Sequence, residues 1–243
     1  MSPFRLGPSQ ASMVWLEPHR VHAGGQTRAA GAFPDEDQLA QVLSNLPQGP
    51  TKWIVDDLWT PALLLKDFVE LPSGVEARDA FFRWRYTKHL ALEDPQSVQT
   101  LEVEEAAWLL VGMPLAQRES WIQLALRLGR PIHAMVPRWM WIYNRLAPTL
   151  QAPGMMLSLA ADEDGYFTGT LAAWGRSLTL LRQWHEPASA EAWMEERVLP
   201  TAAFLQRENR SPQELLVWGA STWPKGILSS RLLPFEIPAQ EAL

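Results

Sequence analysis

The 243-residue chain contains no cysteine. This absence excludes disulfides, thiolate catalysis, and zinc or iron–sulfur sites built on cysteine, and it favours a reducing compartment. Long apolar runs are missing as well. The best of them, residues 106–113, ends at Pro114 and is far shorter than the roughly 20 residues that a membrane-spanning helix needs. We therefore expect no signal peptide, no direct insertion into a membrane and a cytoplasmic location.

Positive charge is also scarce. The net charge is −6 and the isoelectric point is about 5.4. A broad contact with nucleic acid needs clustered Lys and Arg, so no nucleic-acid partner is expected. The sequence has no phosphate-binding P-loop, no dinucleotide fingerprint and no nucleophile elbow. We expect a protein without a catalytic site, a metal or a cofactor.

Some carboxylates leave an enzyme open as an alternative. Asp56, Asp57 and Asp164 are the first candidates for acid–base chemistry, although nothing in the sequence shows that they converge. The run Asp162 to Gly165 is too short for an EF-hand loop, because no bidentate Glu follows it. A hairpin turn with solvated carboxylates is the simpler interpretation.

Tryptophan is unusually frequent. There are 13 Trp, more than the 3 Tyr and 8 Phe together. Most Trp side chains fill cores because they bury a large area, but exposed Trp side chains form partner-binding hot spots. The sequence leaves open which of the 13 are exposed.

Strand and helix patterns alternate along the chain. Two short strands flank Pro18, and Asp35 to Asp37 open a helix. A further helix is predicted over residues 75–90. After Pro153 the pattern predicts three strands, a helix near 190–207 that Pro200 kinks, and a last strand at 215–218. This order is typical of a mixed α/β (α+β) fold in two related halves.

The second half in particular carries a family resemblance. A three-strand meander, a helix and a strand ending at Gly219 form the recurring unit of actin-like, ribonuclease H-like folds. Near the middle of the chain, Phe68-Val69-Glu70-Leu71-Pro72 and then Phe82-Arg83-Trp84-Arg85 with Lys88 resemble the insertion subdomain of PilM-like proteins of type IV pilus assembly. The cytoplasmic part of the type II secretion L protein is similar in architecture.

The departures from that family concern the nucleotide loops. Members that bind ATP carry Asp-x-Gly in the first strand pair, where this chain has Glu17-Pro18-His19. The remnants of the other loops are Asp162, Asp164 and Gly165, followed much later by Gly219. Phosphates need inward-facing backbone N–H groups, which Gly permits. The resemblance thus implies an actin-like protein that has lost the ability to bind ATP. An actin-fold ATPase with atypical phosphate loops remains the alternative.

The resemblance also implies a partner. Its family members are cytoplasmic platforms that hold the cytoplasmic tail of an inner-membrane partner, in a groove between the first subdomain and its insertion. The predicted helix 75–90 is then the candidate wall of this groove, with Phe81, Trp84 and Arg85 as partner-binding residues. The alternative is that Phe81 and Trp84 are core residues.

The resemblance predicts a division of the chain. We expect a leader over residues 1–13, a first subdomain over 14–150 with an insertion around 60–112, a second subdomain over 151–221, and a Pro- and Leu-rich tail over 222–243. Family members usually continue beyond such a tail, so the fold is expected to be incomplete at its C-terminus.

Overall fold

The computed structural model describes residues 11–31, 33–66, 71–150, 153–161, 166–187, 189–220 and 229–233. Three sheets organise them. Two five-stranded sheets each belong to one half of the chain, and a three-stranded sheet belongs to a segment inserted into the first half. No helix in these ranges is long and apolar enough to span a bilayer.

The first half contains one five-stranded sheet with the strand order β3-β2-β1-β4-β8. Strands β1 to β3 form an antiparallel meander, and β4 and β8 then add parallel to β1. Its elements are β1 Ser12–Glu17, β2 Arg20–Ala23, β3 Gln26–Ala29, α1 Glu36–Ser44, β4 Thr51–Val55, α3 Leu115–Arg127, β8 Ile132–Pro137 and α4 Arg138–Leu146.

The second half repeats this arrangement. Its sheet has the order β11-β10-β9-β12-β13, again a meander followed by two parallel strands. The elements are β9 Gly154–Ala161, β10 Tyr166–Trp174, β11 Leu178–Pro187, α5 Ala190–Trp193, a π-helical turn Met194–Val198, α6 Leu199–Arg207, β12 Glu214–Trp218 and β13 Ser229–Leu232. The same strand order in both halves confirms the mixed α/β fold in two related halves.

The insertion lies between β4 and α3. It comprises β5 Ala62–Leu65, α2 Val75–His89, β6 Gln96–Glu104 and β7 Ala107–Pro114, with the antiparallel strand order β5-β7-β6. Helix α2 covers one face of this sheet, where Phe82 and Tyr86 pack on Leu65 and Leu110. The predicted boundaries of the subdomains stay predictions.

The insertion also touches the second half. The ammonium of Lys66 donates to the carbonyl of Thr179, and the Ala62 N–H donates to Gln183 Oε1 at 2.6 Å. Farther along, Ser177 Oγ donates to Glu104 Oε2 at 2.8 Å. The insertion sheet and the sheet of the second half are therefore in direct contact.

Local sequence signals explain the helix ends. The Gln38 N–H donates to the Asp35 side chain and the Asp35 N–H donates to Gln38 Oε1, which forms a capping box at the start of α1. Just beyond the C-terminal ends of α1 and α3, buried Arg130 donates to the carbonyls of Leu46 and Leu128. Gly129 has φ +70°, as expected for a glycine that ends a helix.

The predicted element list is wrong in two places. Strand β3 follows the Gly24-Gly25 turn, but all four of its residues are exposed, so it has no apolar alternation to detect. Strand β13 lies in the predicted tail and pairs with β12. The predicted kink at Pro200 corresponds to the π-helical turn just before it, because proline supplies no N–H to the preceding helical turn.

Most of the tryptophans fill the core. Nine are buried, Trp108 and Trp184 are half-buried, and Trp84 is 52% exposed, while Trp223 lies outside the described residues. The cluster between the two halves contains Trp15, which meets Trp141 edge-on at 5.0 Å and lies 5.5 Å from Trp218. Trp side chains thus hold the halves together.

Helix α4 lies between the halves. Six of its nine residues are buried, including the charged Arg138. A helix with most of its residues buried lies largely in the interior of the protein. The polar side chain at its start needs partners, and these partners define the cleft between the halves.

Candidate functional site

The cleft between the halves is filled by side chains of the protein itself. Strands β4 and β8 are parallel neighbours, and their register pairs Val55 with Pro137. The next residues along the two strands, Asp56 and Arg138, therefore lie side by side. The side chains of Asp56 and Arg138 are both 0% exposed, and they form an ion pair.

The second half supplies the opposite side of the cleft. Strand register places Gln183, Thr170, Ser158 and Trp218 in one row across four strands. Residues that lie directly opposite each other in a sheet share a face. This row faces the first half, and Arg138 Nε donates to Ser158 Oγ at 3.0 Å.

Asp57 completes the arrangement. One carboxylate oxygen accepts from the Trp139 N–H at 3.0 Å, and the other accepts from Thr170 Oγ1 at 2.8 Å and lies 3.3 Å from an Arg138 nitrogen. The guanidinium also lies over the ring of Trp218, with 5.6 Å to its centroid. We name Asp56, Asp57, Arg138, Ser158 and Thr170 the Arg138 cluster.

The pKa values of two carboxyls near Arg138 are shifted in opposite directions. Burial, together with the neighbouring Asp57 and Glu17 carboxylates, raises the pKa of Asp56 to about 6 against the pull of Arg138. Burial also acts on Glu17, but the bond from His22 and the charge of Arg138 outweigh it and lower the pKa of that carboxyl. Two carboxylates, Asp56 and Asp57, thus pair with one guanidinium, and the charge of a third, Glu17, acts on it as well.

In the first phosphate turn, the backbone groups of His19 are already hydrogen-bonded within the protein. His19, in the turn between β1 and β2, has φ 63°, and its N–H donates to the Gly31 carbonyl at 3.2 Å. Its carbonyl accepts from the Ala30 N–H at 2.8 Å. Phosphate binding needs N–H groups directed at the ligand, and this one is already bonded within the protein.

The remaining loop residues separate into two groups. Asp162, Asp164 and Gly165 lie outside the described residues, as do Phe68, Val69 and Glu70. Gly219 has φ +90°, and a Cβ there would stand 1.9 Å from the Leu159 carbonyl oxygen. Close packing against β9 therefore requires this glycine.

The structure places the candidate catalytic carboxylates in the interior. Asp56 and Asp57 are 0% and 2% exposed and lie within one cluster, whereas Asp164 is outside the described residues. Among the residues that the structure describes, no group of three or more His, Asp or Glu side chains is arranged to hold a metal ion. The absence of a catalytic activity and of a cofactor, expected from the sequence, stays a prediction.

A second site lies between the first half and the insertion. A groove of about 450 Å³ is lined by β6, β7, β8, the start of α3 and Met140 of α4. Its apolar wall residues include Leu101, Ile122 and Met135, and Arg118 and His133 add polar groups. We name it the β6–β8 groove, because both of these strands end their sheets here and no other described strand pairs with their outer edges.

Helix α2, which the sequence predicted to be the wall of a partner groove, does not line the β6–β8 groove. Along β7, Leu110 packs on Phe82 and Tyr86 of α2, whereas Leu109 and Val111 line the groove. Successive strand residues point to opposite faces, so α2 lies on the far face of the insertion sheet. The sequence analysis did not single out the lining residues of β6 and β8, because a strand pattern does not distinguish a groove wall from any other half-buried strand face.

The predicted partner-binding residues form a separate surface on α2. Trp84 is exposed, and Phe81 and Arg85 are half-buried. Arg85 lies 5.3 Å from the centroid of the Trp84 ring and 5.5 Å from that of Phe81, and Lys88 lies 5.0 Å from the Trp84 ring. None of them lines the β6–β8 groove, and their role in partner binding stays a prediction.

Comparisons with known proteins place the fold. No family model matches the sequence. No curated protein is detectably similar to it. Among solved structures, the cytoplasmic domain of EpsL, an inner membrane component of the type II secretion system of Vibrio cholerae, matches with a TM-score of 0.53 at 13% identity, over 94% of this chain and 91% of that chain.

A second solved structure matches to a similar degree. It is a PilM-PilN type IV pilus biogenesis complex, with a TM-score of 0.51 at 12% identity, over 87% of this chain and 82% of the matched chain. At such identities the likeness establishes the fold. The resemblance predicted from the sequence is thereby confirmed at that level: the chain has the actin-like fold of PilM and of the EpsL cytoplasmic domain.

Proposed function

We propose that this protein is a non-catalytic platform of a type IV pilus or type II secretion-like assembly. It acts in the cytoplasm, at the inner face of the bacterial inner membrane, by holding the cytoplasmic tail of an inner-membrane partner. The names of the matched structures support this: one is a domain of an inner-membrane secretion component, and the other is a complex of two pilus proteins.

The observation that carries the proposal is the β6–β8 groove. Two strand edges without partners among the described strands border an apolar hollow of about 450 Å³. Unpaired edge N–H and C=O groups are a template for an added strand, and the hollow receives its side chains. A short extended peptide, such as the cytoplasmic tail of a membrane protein, fits both features.

The Arg138 cluster supports binding without turnover. Its guanidinium and two carboxylates fill the cleft between the halves with fully buried charges that satisfy one another. A nucleotide entering there has to displace a buried cation from its partners, which is costly. The protein is on this view a pseudo-ATPase that works by binding alone.

The partner is tested in two steps. The tagged protein is first used to recover bitopic inner-membrane proteins from detergent-solubilised membranes of its own cell. A synthetic peptide of the recovered protein's cytoplasmic tail is then titrated calorimetrically. We expect Leu101→Glu, in the groove wall, to weaken the peptide at least ten-fold, about 1.4 kcal/mol.

The matched control is Leu126→Glu on α3. Leu126 is 52% exposed and Leu101 is 41% exposed, but only Leu101 lines the groove. Equal affinities for the two variants contradict the groove as the binding site. Failure to recover any bitopic membrane protein contradicts the platform role.

The absence of ATP binding has its own test. Titration with magnesium ATP up to high micromolar concentration is expected to give no heat and no shift in the unfolding midpoint. A saturating isotherm shows that an actin-fold ATPase with atypical loops is the better interpretation.

A further inference from the structure

The β6–β8 groove and the Arg138 cluster share short stretches of chain. Pro137, the last residue of β8, lines the groove, and the next residue is Arg138. Thr60 lines the groove too, and its hydroxyl donates to the Asp56 carbonyl at 2.9 Å. Each member of the buried ion pair is thus tied directly to a groove residue.

The cluster extends these ties into the second half. Arg138 donates to Ser158, and Thr170 donates to Asp57. Thr170 Oγ1 also accepts from Gln183 Nε2 at 3.1 Å, and Gln183 returns to the insertion through the Ala62 N–H. Polar contacts therefore run from the groove through the cluster into the second sheet and back to the insertion.

A buried ionic cluster transmits displacement well. An unpaired charge or polar group is costly in a low-dielectric interior, so the partners either move together or exchange one complete set of bonds for another. An element that exchanges two complete sets of bonds in this way can couple distant sites. The Arg138 cluster falls under this rule for buried charges, because Asp56 and Arg138 are both 0% exposed.

We propose that occupation of the β6–β8 groove shifts the Arg138 cluster and thereby changes how the two halves pack on each other. The inference rests on the proposed function, since it gives the partner in the groove a route to the second half. The described residues that line the groove all belong to the first half or its insertion. The second half thus responds to a partner that it does not touch.

The test fills the groove without any partner. The chain has no cysteine, so Ser97→Cys in the groove wall is a unique thiol. Alkylation with N-phenylmaleimide places an aromatic ring in the groove, and mass spectrometry verifies complete reaction. Because the partner does not enter the experiment, its result is independent of whether the platform role holds.

Trp193 is the reporter in the second half. Its ring packs on Gly169 so closely that a Cβ there would lie 2.2 Å away. Gly169 stands between Thr168, whose carbonyl lies 3.5 Å from an Arg138 nitrogen, and Thr170. With 5-fluorotryptophan incorporated, the ¹⁹F resonance of Trp193 is assigned by the loss of its signal in Trp193→Phe.

We expect alkylation of Ser97→Cys to shift the Trp193 resonance by more than its linewidth. The double variant Ser158→Ala/Thr170→Val, which removes the hydroxyl partners of the cluster, is expected to abolish that shift. The control Thr179→Val removes a hydroxyl bond to the Ala173 carbonyl on the same sheet, outside the cluster, and is expected to keep it. Circular dichroism checks that each variant is folded.

Two outcomes overturn the proposal. One is an unmoved Trp193 resonance in fully alkylated Ser97→Cys. The other is a shift of the same size in the double variant, which means that the second half responds by another route. If the double variant does not fold, Thr170→Val alone is used, and it has to reduce the shift at least two-fold.

Discussion

The cleft between the halves and the β6–β8 groove differ in whether their polar groups already have partners within the protein. In the cleft between the halves, charged and hydroxyl side chains lie 0–6% exposed and bond to one another, as Asp57 does with Thr170. In the β6–β8 groove, two strand edges lack a partner among the described strands and apolar side chains such as Leu101 face solvent. The polar groups of the cleft are thus paired within the protein, whereas the strand edges of the groove are open to hydrogen bonds from a partner.

That contrast locates the function better than the fold does. An actin-like fold hosts both catalysis and binding, so function has to be argued from the site. A site whose donors and acceptors are already paired gains little from a ligand, whereas an open strand edge gains hydrogen bonds from an added strand.

The largest effect is expected from removing the cation of the cleft. Arg138→Met leaves Asp56 and Asp57 buried without their guanidinium, and breaking a buried ion pair typically costs about 3–5 kcal/mol. For a chain of this length the unfolding midpoint should fall by about 10 °C, measured by calorimetry.

The control for this change is an ion pair on the surface. Arg127 donates to Glu36 at 2.7 Å, and both side chains are more than half exposed. Arg127→Met is expected to leave the midpoint almost unchanged, because water solvates the remaining carboxylate. If Arg138→Met is equally harmless, the cleft is not held by its charges.

The next-largest loss of stability is expected at Gly219, the residue directly after β12. Gly219→Ala forces a side chain into a left-handed backbone with φ +90° and against the Leu159 carbonyl. We expect a loss of about 2–3 kcal/mol in the free energy of unfolding, measured in urea. Gly175→Ala is the control, because the nearest atom to its Cβ is Thr179 Cγ2 at 3.9 Å. Equal losses contradict the packing role of Gly219.

The sequence predicted the fold well because its signals are local. Asp35 opens a helix, Pro114 precedes another, and Gly129 and Gly219 end elements, and each acts within a few residues. The two related halves followed from the order of such elements. Strand β3 escaped detection because an edge strand exposed on both faces carries no apolar alternation.

The sites were harder to predict because they depend on register. Asp56 and Arg138 are 82 positions apart, and only the parallel pairing of β4 with β8 brings them together. One signal was available: each closely follows a predicted strand, and the carboxyl ends of neighbouring parallel strands meet at one edge. The row of Ser158 and Thr170 depends on sheet register in the other half, which no spacing in the sequence reveals.

A smaller effect follows from the titration of the cleft. In the folded protein the pKa of Asp56 is raised to about 6, above the ordinary value near 3.8. The folded state therefore binds a proton more readily than the unfolded chain, and the stability due to this proton is lost as pH rises from about 4 through 6. Asn cannot ionise, so wild type should lose stability relative to Asp56→Asn over this range.

The measurement is a set of urea unfolding curves for both proteins at half-unit pH steps from 4 to 7.5. Asp57, Arg138 and Glu17 face the side chain of residue 56 in both proteins, so their own titration contributes to both curves. A constant difference across the range contradicts the raised pKa of Asp56.

The smallest effect is expected on the surface of α2, where the sequence placed the partner. Trp84 is 52% exposed and contacts mainly Arg85 and Lys88 of its own helix, so Trp84→Ala should change the stability by no more than about 0.5 kcal/mol. If the groove holds the partner tail, this variant binds the tail peptide within two-fold of wild type, while Leu101→Glu loses ten-fold. If Trp84→Ala weakens the peptide as strongly as Leu101→Glu, the tail crosses both faces of the insertion. Should Trp84→Ala alone weaken it, Phe81, Trp84 and Arg85 are the partner-binding residues, and the open strand edges of the groove serve another purpose.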